Sequence, residues 1–241
     1  GSNTTGTYGF AFHALKNVTL IGNYATSYIP PATNAFDMNN QVVKPVTGLG
    51  YDGGLRFHLF GARLTVNTTY FYNRENFQRT ASPVTTAINN LLSRNVATDP
   101  STDGRNSIGL PAIFGTDYQS LETSGVELEV VGKITRGWRV MFNLGTARVF
   151  TFNRWPQTKP FVEENANFYR QVLEDAGGRI DATQPLAGAP GRAVVNSAIT
   201  AAIPAEQTNA VADYNSLWTS YALVANDLPV AGVNRRTMNV F

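Results

Sequence analysis

Residues 49–72 read LGYDGGLRFHL, then FG, then ARLTVNTTYFY, and their alternation decides the fold. Leu49, Tyr51, Gly53, Leu55, Phe57 and Leu59 fall on one side of an extended chain, and Gly50, Asp52, Gly54, Arg56 and His58 on the other. Beyond Phe60-Gly61, the series Ala62, Leu64, Val66, Thr68, Tyr70 and Tyr72 opposes Arg63, Thr65, Asn67, Thr69, Phe71 and Asn73. Successive side chains of a strand point to opposite faces, so a period of two marks two strands joined by a tight turn.

The same pattern occurs on both sides of this stretch. Tyr8 to Ala14 and Val18 to Tyr28 flank Leu15-Lys16-Asn17, and Ser124 to Gly132 and Trp138 to Thr146 flank Thr135-Arg136-Gly137. Three hairpins are therefore predicted, at 5–28, 49–73 and 121–150, with strands near 8–14, 18–28, 49–59, 62–73, 121–133 and 138–150. One face is aliphatic and aromatic, and Leu55, Phe57, Val140 and Phe142 belong to it. The other carries Asp52, Arg56, His58, Arg63, Glu127, Glu129, Lys133 and Arg139.

A soluble sandwich also alternates, with its apolar face turned inward. Three features favour a transmembrane barrel instead. The strands run to about 11 residues, against roughly 5–6 in ordinary sheets, and at a tilt of about 45° they span the apolar band of a membrane. Aromatic residues gather towards the strand ends: Tyr8, Tyr24, Tyr28, Tyr70 and Tyr72 at one rim and Trp138 at the other. The connections are short at 15–17, 60–61 and 134–137 but long at 29–48, 74–120 and 151–235. Short periplasmic turns and long extracellular loops are the asymmetry of outer-membrane barrels.

Composition agrees by exclusion. Charged residues are 15% of the 241, and the net charge is only +2 without any Lys/Arg run, which argues against nucleic acid as a partner. There is no cysteine, so disulfides, thiolate metal sites and a cysteine nucleophile are excluded. No apolar run approaches the roughly 20 residues of a membrane helix, which leaves strands as the way to cross lipid.

Motifs with chemical meaning fail on context. Gly48 to Gly53 fits GxGxxG, but a period-two strand follows it where a nucleotide site needs a helix. Asp99, Ser101, Asp103 and Gly104 begin like a calcium loop, yet its twelfth position is Leu110 where a bidentate Glu is required. Glu127 and Glu129 share a face like a catalytic pair, but a 134–136 turn would set Arg139 diagonal to Glu129 and make a charge-compensated wall. His13 and His58 sit in different strands, with no HExxH, GxSxG or P-loop nearby. No catalytic residue, metal site or cofactor is expected, and no ligand-contacting residue can be assigned.

Within the long connections, Ser82-Pro83 can open a helix with Val84, Ile88, Leu91 and Leu92 on one stripe. Val162 to Ala176 reads as a second, ending at Gly177-Gly178. Ala193 to Ile203 can hold a further helix or hairpin, and 236–241 reads as the start of another strand, with Phe241 beside Asn239 and Thr237.

Three segments together resemble a known family. Asn17 to Pro31 (NVTLIGNYATSYIPP) is similar to the TonB-dependent receptor strand that ends in an aromatic, a Pro and a long loop. Lys44 to Asn73 resembles that family's next hairpin, and Ser124 to Glu129 followed by Gly137-Trp138 a third. Val46 after Pro45 departs from the family's usual acidic residue. The resemblance implies part of a large outer-membrane barrel, of about 22 strands in such transporters, in a Gram-negative-type bacterium. It implies partners too: membrane lipid, a scarce imported ligand (siderophore, cobalamin, saccharide or similar), and a TonB-type energy-coupling protein acting through a plug domain absent from this chain.

The expected fold is thus all-β: an antiparallel up-and-down transmembrane β-barrel fragment of six to seven long strands, with long, partly helical extracellular loops. So few strands should leave an open sheet, since single-chain bacterial barrels start at eight. Asp52, Arg56, His58, Arg63, Glu127, Glu129 and Arg139 are the candidates for the lumen. A passive porin-like channel and a non-transport surface β-protein or adhesin stay open as alternatives.

Overall fold

A computed structural model describes residues 4–93, 95–96, 106–107, 112–199, 204–225, 230–231 and 235–240. The Asp99 to Gly104 stretch and Phe241 lie outside them. Six long strands dominate: β1 (Thr7–Leu15), β2 (Val18–Ile29), β3 (Val46–Leu59), β4 (Leu64–Ala81), then, after α1 (Thr85–Leu92) and the short β5 (Asn95–Val96) and β6 (Asn106–Ser107), β7 (Thr116–Lys133) and β8 (Arg139–Phe152). There follow α2 (Thr158–Glu164), α3 (Ala166–Asp175), β9 (Gly178–Asp181), β10 (Arg192–Val195), α4 (Pro204–Ala225), β11 (Val230–Ala231) and β12 (Arg235–Val240).

The sheet order is β1-β2-β3-β4-β7-β8, each pair antiparallel, with β11 and β12 both on the far edge of β8. This is an up-and-down meander. It does not close on itself among the described residues, as six to seven strands predict. The GxGxxG stretch lies within β3, so no glycine loop meets a helix there. No described helix is long and apolar enough to cross a membrane.

The register keeps like with like. One cross-strand row runs Phe12, Leu20, Leu55, Thr68, Leu128, Leu144. The second row from it on this face, towards the long connections, runs Tyr8, Tyr24, Tyr51, Tyr72, with Tyr51 stacked on Tyr72 at 4.9 Å. Between the strands of each hairpin the turns are tight. Phe60, Gly61 and Ala62 all take left-handed backbone angles (φ +53°, +65° and +64°), so β4 starts at Leu64 and Arg63 belongs to the turn.

No described element covers the apolar face. Phe10 and Phe12 are 58% and 61% exposed, and of the buried apolar side chains only Tyr118 comes from the six long strands. A sandwich would bury this face against a second sheet. The hydrophobic core lies in the connections instead, where α1, α2, α3, α4 and the β9–β10 hairpin pack together around Ile88, Leu91, Val162, Leu173, Tyr214 and Leu217.

Several elements differ from the sequence expectation. β4 and β7 each hold 18 residues, and a β-bulge between Glu75 and Gln78 carries the pair past its neighbours. The helix expected at 162–176 is two, broken at Asn165, whose amide Nδ2 donates to the Phe161 carbonyl at 2.8 Å and competes with the helix's own bonding. α1 has its predicted stripe, with Val84, Ile88 and Leu91 fully buried, but no side chain caps it: the Ser82 hydroxyl is turned to Thr158. The connection 151–235 holds α2, α3, β9, β10, and the 22-residue α4, which the sequence reading missed.

Candidate functional site

The polar face of the wall is a set of short hydrogen-bonded ladders that cross strands. Arg56 on β3 donates through Nε to Asn67 on β4 at 2.8 Å, and Asn67 donates through Nδ2 to Glu129 on β7 at 2.7 Å. These three stand directly opposite one another in register, so a cation and a carboxylate two strands apart are joined by one amide. Asn23 on β2 donates to Asp52 on β3 at 3.1 Å. His13 lies 2.9 Å from the Thr19 hydroxyl, and His58 lies 3.4 Å from that of Thr65. Nearer the long connections the opposite face, that of Tyr51 and Tyr72, carries charge as well: the Tyr72 hydroxyl donates to Glu122 at 2.7 Å, and Arg74 sits 3.6 Å from the same carboxylate.

Of the seven sequence candidates, Arg56 and Glu129 are brought together, while Asp52 and His58 each find a polar neighbour. Glu127 stands opposite Thr69 and Gly145. The expected diagonal of Glu129 with Arg139 is not formed. The loop Ile134 to Trp138 is longer than the 134–136 turn assumed, so Arg139 pairs with Lys133 and Glu129 faces Asn143. Arg139 is then four residues along the strand, roughly 13 Å away. The compensating group for Glu129 is Asn67 with Arg56 behind it; the expected 60–61 turn would have set Arg56 opposite Thr65, whereas the turn runs from Phe60 to Arg63 and Leu59 stands opposite Leu64. The described residues hold no group of three or more His, Cys, Asp or Glu side chains that could hold a metal.

At the long-connection end the wall meets the helical body through two buried carboxylates. Asp117, at the start of β7, accepts from the Tyr118 amide at 2.7 Å, the Thr158 amide at 2.8 Å, the Thr158 hydroxyl at 2.6 Å and the Gln157 amide at 3.2 Å. Asp37 accepts from the amides of Asn39 and Gln41 at 3.0 Å each, from the Tyr118 hydroxyl at 3.1 Å and from Gln157 Nε2 at 2.8 Å. A buried carboxylate is tolerated only with its oxygens satisfied, and here every one of them is. The Lys44 ammonium lies 5.0 Å from the Phe77 ring and 5.6 Å from that of Tyr118, which leaves it held by aromatic faces. The two carboxylates thereby tie the 30–45 connection, Ser82 and the start of α2 to one point on the wall. The local amide partners do not single out Asp37 or Asp117, because the contacts that tie each to the rest of the protein, to Tyr118 and to Thr158, are 81 and 41 residues away.

Within the helical body, polar side chains stitch backbone. Asn215 of α4 both donates to and accepts from Ala193 of β10, at 3.0 and 2.9 Å, and Asn89 of α1 does the same with Ile113 at 3.2 and 2.8 Å. The Tyr221 hydroxyl donates to Glu163 at 2.6 Å, and burial together with that bond pushes its ionisation up to about 12. Burial also drives the Tyr169 phenol well above the ordinary tyrosine range. On the exposed β9 end, bonds from Thr183 hold the Asp181 carboxyl below its usual value.

No curated protein matches the sequence. Among solved structures, the ferripyoverdine receptor of the Pseudomonas aeruginosa outer membrane is 17% identical, with a TM-score of 0.45 over 64% of this chain and 18% of that one. The alcaligin outer-membrane receptor of Bordetella pertussis is 17% identical, with a TM-score of 0.40 over 61% of this chain and 25% of that one. The chain thus spans about a quarter or less of the length of these receptors. The family model for the TonB-dependent receptor-like β-barrel matches residues 1–237. With its meander of long strands and a match over nearly its whole length, the chain belongs to the TonB-dependent receptor β-barrel family.

Proposed function

We propose that the chain is barrel wall and external loop structure of an outer-membrane receptor that imports a scarce ligand of siderophore, cobalamin or saccharide type. The family is one of transporters, not of enzymes. In this reading the apolar face meets membrane lipid, and Asp52, Arg56, His58, Glu127, Glu129 and Arg139 line a watery lumen, with Arg63 at its periplasmic rim. The helical body on the long connections faces the outside of a Gram-negative-type cell and helps to hold the ligand. Residues 1–241 are a single stretch of barrel, and energy arrives from a TonB-type partner through a plug.

The observation that carries this is the two-sidedness of one continuous wall. Its aromatic face is left exposed by the described residues, and its other face carries charges joined across three strands. Charge on a lipid-facing position near the midplane costs roughly 2–4 kcal/mol, so the polar face belongs to water.

Whole-cell uptake tests the function. A strain lacking the gene should fail to accumulate one member of a panel of iron-loaded siderophores, cobalamin and oligosaccharides, and the intact gene should restore it. Uptake should stop when the inner-membrane proton gradient is collapsed. Uptake that persists without the gradient would identify a passive channel, and unchanged uptake of the whole panel in the deleted strain would remove the import role.

A further inference from the structure

The apolar face of the wall contains a gap in its side-chain cover. In the row Phe10, Gly22, Gly53, Tyr70, Val126, two glycines stand side by side on β2 and β3. A groove of 810 Å³ opens over them, bounded by Phe10 and Leu20 on one side and by Leu55 and Tyr70 on the other. That volume lies within the roughly 300–1,000 Å³ of small-molecule sites.

The two glycines are not equivalent. A Cβ on Gly22 would lie 2.4 Å from the Phe10 ring, so Phe10 already leans across that residue. A Cβ on Gly53 would meet nothing closer than the Ile21 carbonyl oxygen at 3.8 Å. The floor of the groove is therefore Gly53, and a side chain placed there would project into the groove without collision.

The surroundings select the occupant. Asp52, next to Gly53, points to the opposite face, so no charged side chain enters from this row. The Tyr8 and Tyr24 rings, 6.4 Å apart, stand one row nearer the long connections, roughly 7 Å along the strands. An apolar slot with phenol groups at one end suits a molecule with an apolar chain and a polar head, because Tyr places its ring in hydrocarbon and its hydroxyl at the headgroup level. The slot is continuous with the face that meets the membrane, and in hydrocarbon an unfilled groove forfeits dispersion contacts along its whole lining.

We propose that this groove is a binding site for one acyl chain of a membrane lipid, drawn from the leaflet on the long-connection side. The chain lies over Gly53 between Phe10 and Tyr70, with its headgroup at the level of Tyr8 and Tyr24. The site rests on the reading that the apolar face meets lipid.

Native mass spectrometry of the full-length receptor, taken from detergent mixed with lipid A, the acylated lipid of the outward leaflet of a Gram-negative outer membrane, tests it. Wild type should retain one lipid through collisional activation. Gly53→Leu should lose that lipid and Gly53→Ala should lose it in part. Gly132→Leu adds the same bulk to the same face outside the groove, where a Cβ meets only Leu64 at 3.4 Å, and should retain the lipid. In parallel, Phe57→Trp, which shares the apolar face, should be quenched by lipids brominated on the chain, measured above the background of the native tryptophans. If the tryptophan is quenched while wild type and both Gly53 variants retain lipid equally, the groove is not a site and the membrane-facing reading stands. If the tryptophan is not quenched, that reading falls and the site with it.

Discussion

Moving one charge by a single residue along β3 should have opposite consequences on the two faces. Leu55 pairs with Leu20 and Thr68 on the apolar face, four residues from Tyr51 and four from Leu59. The eight residue steps from Tyr51 to Leu59 cover about 27 Å of strand, or roughly 20 Å of height at a barrel tilt near 40°. Leu55 is the midpoint of that band. An arginine there costs about 2–4 kcal/mol at the midplane, a shift of roughly 30- to 900-fold in the folding equilibrium. Arg56, on the other face, has one hydrogen bond to Asn67 at 2.8 Å and is exposed. Asn67 keeps its bond to Glu129 when Arg56 is removed, so Arg56→Leu should cost about 1 kcal/mol or less. Urea unfolding of the full-length receptor in phospholipid vesicles, followed by tryptophan fluorescence, reads both variants. Equal stabilities of Leu55→Arg and Arg56→Leu within about 1 kcal/mol would refute the assignment of the two faces.

Asp117→Ala should leave four donors without their acceptor in a buried site, at a cost of about 3 kcal/mol or more, and open the segment around 153–165 to limited proteolysis while strand content by circular dichroism is unchanged. Protection equal to wild type would show that the helical body is held by other contacts. Gly125→Ala places a Cβ 2.0 Å from the Thr146 carbonyl oxygen and 2.7 Å from the Phe71 ring, so it should destabilise by about 1–3 kcal/mol, whereas Gly137→Ala meets nothing within 4 Å and should be neutral in the same unfolding assay. The Tyr221 phenol ionises near 10 when unfolded and near 12 when folded, so the folded state holds that proton more tightly. Its stabilising contribution is complete below pH 10 and declines as pH rises towards 12, and helix content by circular dichroism should fall in that window more in wild type than in Tyr221→Phe.

The strands were legible because side-chain direction in a sheet depends only on odd or even position. Leu55 and Arg56 could be assigned to opposite faces without any knowledge of their neighbours. Register was legible at neither turn. A 60–61 turn would set Arg56 opposite Thr65, but the turn runs from Phe60 to Arg63 and sets it opposite Asn67, and the longer 134–138 loop moved Arg139 away from Glu129. The apolar stripe of α4, at Ala210, Tyr214, Leu217, Trp218 and Tyr221, has helical spacing and could have been read. Alanine on both faces and the exposed Leu223 lower its contrast, and its Asn, Ser and Thr content resembles a loop. The Asp37 and Asp117 cluster was beyond reach, because it exists only once three distant connections converge on Tyr118 and Thr158.

The unequal strand lengths bear on how a ligand would be met. β4 and β7 continue past β3 and β8 through Phe77–Ala81 and Thr116–Gln119, a paired ribbon of roughly 15 Å standing clear of the rest of the wall. The helical body hangs from that ribbon through Asp117, Ser82 and the Trp155 indole, which donates to the Ala81 carbonyl at 2.9 Å. A long surface loop ordinarily surrenders conformational freedom when it closes on a partner, and affinity falls by that amount. Here the chain entropy was given up on folding, by a core of tyrosine, leucine and tryptophan that the helices bury among themselves. Whatever approaches from the long-connection side would meet a shaped, preorganised surface that moves with two strands of the wall.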